Sequence, residues 1–168
     1  MLRELLFSAV IYGTAVGTSL AQSPAPPCKL PSTPETIAAA IDAAISGPAD
    51  KDRSCMQQLF LPEARLIIVA EGTNGTLKYT VLTLDDWITR VKARGSALLE
   101  EKQIKFSIQG FGGIVHLWST YVLHSDGKQV ARGINSIQAV KIGGGWRVSG
   151  ILWQAESATL PLPNEVLP

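Results

Sequence analysis

Gly143-Gly-Gly-Trp-Arg-Val-Ser-Gly-Ile-Leu-Trp-Gln-Ala-Glu156 is a glycine turn running into a strand. Two further strands precede it, Ile114-Val-His-Leu-Trp-Ser-Thr-Tyr121 and Ala131-Arg-Gly-Ile-Asn-Ser-Ile-Gln138, each rich in the β-branched and aromatic residues that suit a pleated surface. They lie within about 114–124 and 129–142, joined at Ser125-Asp-Gly-Lys128, a strong hairpin signal. One strand earlier, Ile104, Phe106 and Ile108 alternate with Lys105 and Ser107, so one face there is wet. Gly110-Phe-Gly-Gly113 bends the chain between the two. The C-terminal third is therefore a set of consecutive antiparallel strands.

Working back toward the N-terminus, helical periodicity takes over. Ser32 or Thr33 can cap a first helix that Pro34 opens, with Ile37, Ala40, Ile41, Ala44 and Ile45 on one stripe and Gly47-Pro48 as its stop. A second helix over about 50–60 turns Cys55, Met56, Leu59 and Phe60 inward and ends before Pro62. Segments 64–71 and 76–82 flank Gly72-Thr-Asn-Gly75 as a hairpin. Thr83 with Asp86 three residues on predicts a capping box for a third helix over 84–94, its inner face Leu84, Trp87, Ile88 and Val91.

Residues 1–21 match a secretory signal: Arg3 starts it, Leu5 to Val16 is apolar, and Ser19-Leu-Ala21 has the small-x-small cleavage pattern. Residues 22–33 form a Pro-rich linker, 34–157 the folded domain and 158–168 an irregular tail. The expected location is periplasmic or extracellular, with no membrane association after cleavage. There an even cysteine count favours a bridge, and Cys28 with Cys55 closes a loop of about 27 residues. The chain's 15 Lys and Arg against 14 Asp and Glu leave a net charge of +1, so it lacks the basic footprint of a nucleic-acid binder.

Three helices, a hairpin before the third, and four long strands describe an α+β domain with helices on one sheet face. This order over about 34–156, with Gly145-Trp-Arg-Val148 and Arg132-Gly-Ile-Asn-Ser-Ile-Gln138 its most specific parts, resembles the nuclear transport factor two-like superfamily. That superfamily has polyketide-cyclase-like, ketosteroid-isomerase-like and scytalone-dehydratase-like members, and bacterial members without an assigned reaction are most similar. The resemblance implies a cone-shaped, curved antiparallel sheet with three N-terminal helices packed on its concave face. It also implies a pocket between sheet and helices, and homodimers through the sheet's outer face.

Isomerases of that kind use a carboxylate base on the sheet. Between Lys102 and Ala155 the only carboxylate is Asp126, in a turn, so the strands are expected to offer none. Asp85 and Asp86 suit a helix start. His116 is the best acid–base candidate, since imidazole titrates near neutrality, with Tyr121 or Asp86 as its companion. Tyr121 and Asn135 can donate to a carbonyl, and Arg132 can pair an anion. Trp87, Trp118 and Trp153 can line an apolar pocket, whereas Trp146, after the glycine turn, belongs to the core. His116 and His124 stand about 26 Å apart along a strand, too far to share a metal, and no cofactor is implied.

The resulting expectation is a secreted domain binding a small apolar molecule in an uncharged pocket. One alternative is a cofactor-free isomerase, dehydratase or cyclase that uses His116. Another is a dimeric interaction module with a vestigial pocket.

Overall fold

The computed structural model describes residues 28–72 and 74–168; the expected leader over 1–21, the first half of the linker (22–27) and Thr73 of the first hairpin turn lie outside the described residues. A 3-10 turn, Pro34–Thr36, leads into α1 (Ile37–Ile45). Ile37, Ile41 and Ile45 are buried, as the stripe predicts, and Gly47 ends the run at a φ of +128°, where a side chain would be strained. The second helix, α2 (Ser54–Leu59), is shorter than its pattern suggests. Arg53 explains the late start: its guanidinium donates to the carbonyls of Ile45, Pro48, Ala49 and Lys51 at 3.1–3.4 Å, holding the preceding residues as a loop.

The strands are β1 (Phe60–Glu71) and β2 (Leu77–Leu82), then, after α3 (Leu84–Lys92), β3 (Leu99–Phe111), β4 (Ile114–Ser125), β5 (Lys128–Ile142) and β6 (Gly145–Ala155). The capping box forms as predicted. Thr83 Oγ1 accepts from the Asp86 N–H at 3.1 Å, and the Asp86 carboxylate accepts from the Thr83 N–H at 2.9 Å.

Three features depart from the expected cone. The sheet order is β2-β1-β6-β5-β4-β3, and β1 pairs with β6 in parallel, so the sheet is mixed and not antiparallel throughout. It is not strongly curled: β2 and β3 remain as separate, open edges. Nor are the helices all N-terminal, because α3 follows the β1–β2 hairpin. The parallel pairing has a simple cause. No hairpin links β1 to β6, so nothing forces them to run in opposite directions.

All three helices pack on one sheet face, over a core that includes Phe60, Leu66, Leu117, Ile137, Trp146 and Val148. Gly133 permits close approach of β5 and β6, since a Cβ there would fall on the Gln154 carbonyl and lie 2.7 Å from the Ala155 Cα. Cys28 and Cys55 form the expected disulfide, with a Cα separation of 5.3 Å. Beside it the Trp146 N–H donates to the Pro31 carbonyl at 2.8 Å, which ties the end of the linker to β6. On the opposite sheet face the tail runs back across the strands. Thr120 and Lys105 donate to the carbonyls of Val166 and Leu167, each at 2.6 Å, and Thr120 is only 2 % exposed as a result. No helix among the described residues is long and apolar enough to cross a membrane.

Candidate functional site

The inward residues of β3 to β6 meet α1 and α3 around a cavity of about 90 Å³. Ile45, Leu66, Leu99, Leu123 and Ile151 form its apolar wall; Trp87 and Trp153 flank it, and Arg94 stands at its margin. Trp87 is braced from behind by the Arg53 guanidinium, 5.9 Å from the ring centroid.

Glu101, Tyr121 and Asn135 supply the polar surface of this cavity. Glu101 Oε1 accepts from Gln103 Nε2 at 2.9 Å and from Asn135 Nδ2 at 3.2 Å. Gln103 is held in turn, its Oε1 accepting from Ser119 Oγ at 2.5 Å and from Asn135 Nδ2 at 3.2 Å. The backbone is fixed from α1 and the residue after it. The Asp42 carboxylate accepts from the Gln103 N–H at 3.0 and 3.2 Å, and Ser46 Oγ accepts from the Glu101 N–H at 2.8 Å while donating to the Glu101 carbonyl at 3.2 Å. The carboxylate therefore sits on a preorganised set of neutral donors.

Burial pushes the Glu101 carboxyl up to about 7, and the negative charge of Asp42 adds to that rise. The bonds from Asn135 and Gln103, and the charge of Arg94, oppose it. Asp42 is also raised, first by burial, with the Gln103 hydrogen bonds pulling the other way. Burial lifts the Tyr121 phenol above its ordinary range, helped by the charges of Glu101 and Glu156, so it remains a proton donor. Its hydroxyl makes no hydrogen bond to a described residue. One cavity thus presents an acid poised near neutrality and an unengaged phenol.

The candidates named from the sequence divide between the two sheet faces. Trp87, Tyr121, Asn135 and Trp153 line this cavity. His116 does not: its Nε2 lies 3.0 Å from Ser136 Oγ on the outer face, and its ring is 6.3 Å from that of Trp118. Tyr121 lies five positions after His116, an odd offset, so strand alternation sends them to opposite sides and they do not work as a pair. Asp86 is no better placed, since Thr83 engages its carboxylate in the capping box and holds its pKa below the usual value. Arg132 is spent on Glu156, with Nε–Oε1 at 2.7 Å and Nη2–Oε2 at 2.9 Å.

The expectation of strands without a useful carboxylate, and of an uncharged pocket, fails at Glu101. The alternation Leu99, Glu101, Gln103 was the available signal, because Leu99 is inward and the others follow at period two. A register shift between Gln103 and Lys105 conceals it, breaking the continuity with the later alternation of Phe106 and Ile108. Among the described residues no group of three or more His, Cys, Asp or Glu side chains is arranged to hold a metal ion.

No family model matches the chain, and no curated protein matches it. Solved structures do. A function-unknown protein from Mycobacterium tuberculosis aligns over 80% of this chain and 77% of its own, with 12% identity and a TM-score of 0.57. A protein of unknown function with a cystatin-like fold from Nostoc punctiforme covers 77% and 92%, with 17% identity and a TM-score of 0.53. A nuclear transport factor two-like protein of unknown function from Shewanella baltica covers 74% and 91%, with 12% identity and a TM-score of 0.51. At these identities the likeness concerns architecture alone, and that architecture is the nuclear transport factor two-like fold.

Proposed function

We propose that the cavity between sheet and helices is a cofactor-free proton-transfer site for a small carbonyl compound, with Glu101 as the acid–base group in place of His116. The observation that carries this reading is the Glu101 carboxyl, raised to about 7 and facing the same cavity as Tyr121. A general base works best with a pKa near the operating pH, and a phenol kept protonated can donate to a developing oxyanion. Asn135 positions Glu101, with Nδ2 donating to Glu101 Oε1 and to Gln103 Oε1, which leaves Tyr121 as the donor free to face the substrate. Isomerisation and dehydration both need this set. At about 90 Å³ the cavity falls below the 300–1,000 Å³ usual for drug-sized ligands, so the substrate, or the part that enters, is small.

The test is proton–deuterium exchange, followed by NMR, on a panel of small ketones and β-hydroxy ketones. Saturable exchange should rise with pH through about 7, as Glu101 loses its proton, and Glu101→Gln should reduce it by roughly 10²–10⁴-fold. Exchange untouched by Glu101→Gln would refute the assignment. A carboxyl-carbon titration of Glu101 in the free protein checks its ionisation without any substrate.

Export forms part of the same proposal. The leader-like residues 1–21 and the Cys28–Cys55 bridge both suit an oxidising compartment. Protein recovered from the periplasm or medium should begin near Gln22. Homodimers through the outer face, where they form, would have to displace or include the tail that lies across it.

A further inference from the structure

The tail does not lie flat on the sheet. Between its residues Leu160–Pro163 and the outer face there is a cleft of about 240 Å³, floored by Trp118, Ile134 and Leu152 and roofed by Leu160 and Leu162. We propose that this cleft is a second binding site, separate from the Glu101 cavity, for a neutral two-ring molecule carrying a single polar group.

The roof is anchored on both sides of the cleft. Before it, Ser157 Oγ and Thr159 Oγ1 donate to Glu71 Oε2 at 3.2 and 2.7 Å. Beyond it, the bonds of Thr120 and Lys105 hold the carbonyls of Val166 and Leu167. Pro161 and Pro163 bring no N–H groups of their own, and the Leu162 N–H is taken by Glu156 Oε2 at 3.3 Å, so the roof presents little that would demand water.

Charge and size select the ligand. The charged member of the lining, Glu156, is neutralised by Arg132 through two bonds, which leaves no free charge to attract an ion. Ser136 is engaged with His116. Gln154 lines the cleft, and its side chain makes no hydrogen bond to a described residue, so one amide is free for one hydroxyl or carbonyl. An apolar cavity of about 150 Å³ accommodates benzene. A cleft of 240 Å³ therefore has room for a fused two-ring system, and the Trp118 indole offers an aromatic surface to it.

2-Naphthol is a suitable probe, titrated into the disulfide-intact protein by calorimetry and by NMR. Saturable one-to-one binding is expected, with nuclear Overhauser contacts to the Trp118 indole and the Leu160 and Leu162 methyls. Leu160→Asp combined with Leu162→Asp should weaken it at least tenfold, Gln154→Leu about threefold to tenfold, and Glu101→Gln not at all. The tail substitutions lie outside the core, and the contacts in the unmodified protein provide a reading that needs no variant. Absence of saturable binding overturns the proposal. So does binding that is lost with Glu101→Gln but kept in the tail variant, which would place the probe in the helix-side cavity.

Discussion

The two faces of this sheet are built from alternate residues of the same strands, yet they do different work. On the helix side Glu101, Gln103, Ser119 and Asn135 form a closed set of hydrogen bonds within an otherwise apolar core. On the outer side the polar residues either pair, His116 with Ser136 and Arg132 with Glu156, or hold the backbone of the tail, as Thr120 and Glu156 do, among apolar residues that the tail partly covers. Burial raises the importance of every polar group on the first face, because an unpaired one there loses its hydration without replacement. The same groups on the second face can turn to water. Parity along a strand therefore decides what a residue's chemistry is worth, as well as where it points.

The contrast can be tested by perturbing each face and measuring unfolding by denaturant. The largest effect should come from the helix side, where Trp146→Ala removes a buried indole and should cost about 3–5 kcal/mol; a cost near that of a surface residue would show that this face is not a packed core. Reducing the Cys28–Cys55 bridge should cost about 3–4 kcal/mol, mostly by freeing the unfolded chain, and reduced and oxidised forms can be compared directly.

Glu101→Gln should act in the opposite direction. An acid whose folded pKa exceeds its unfolded value holds its proton more tightly when folded, so the native protein loses stability as pH rises from 4.5 to about 7. Glutamine keeps an acceptor for Asn135 and Gln103 and removes that dependence. The variant should gain up to roughly 3 kcal/mol over the parent at pH 8 and nothing at pH 4. A constant difference across that range would mean that Glu101 is not the group being titrated. The smallest effect belongs to the outer face. His116→Ala should shift stability by less than about 1 kcal/mol and leave exchange at the Glu101 cavity unchanged, whereas a larger loss would blur the distinction between the faces.

Much of the architecture could be read from local signals. The capping box at Thr83, the Asp126-Gly127 hairpin and the stripe on α1 are each settled within a few residues, and each appears as expected. The parallel partnership of β1 and β6 is different in kind: it joins Leu66 to Ile151, and nothing near either residue reports on the other. The site suffered from the same limitation. Tyr121 and Asn135 were legible as donors because they lie in well-marked strands. Glu101 was missed because it sits at the mouth of β3, before an irregularity that resets the alternation. His116 drew attention by its residue type, and only the register with Ser136 on β5 shows which way it faces.

The position of β6 has a consequence for how the molecule is made. It is the last strand in the sequence but an interior strand of the sheet, with β1 on one side and β5 on the other. Until it is in place, the folding chain has two separate sheet fragments, β1–β2 and β3–β4–β5, and no strand pairing between them. Closure must bring together residues some 85 positions apart, a long-range step that follows formation of the local hairpins. Synthesis has to reach the final strand before the two halves become one sheet.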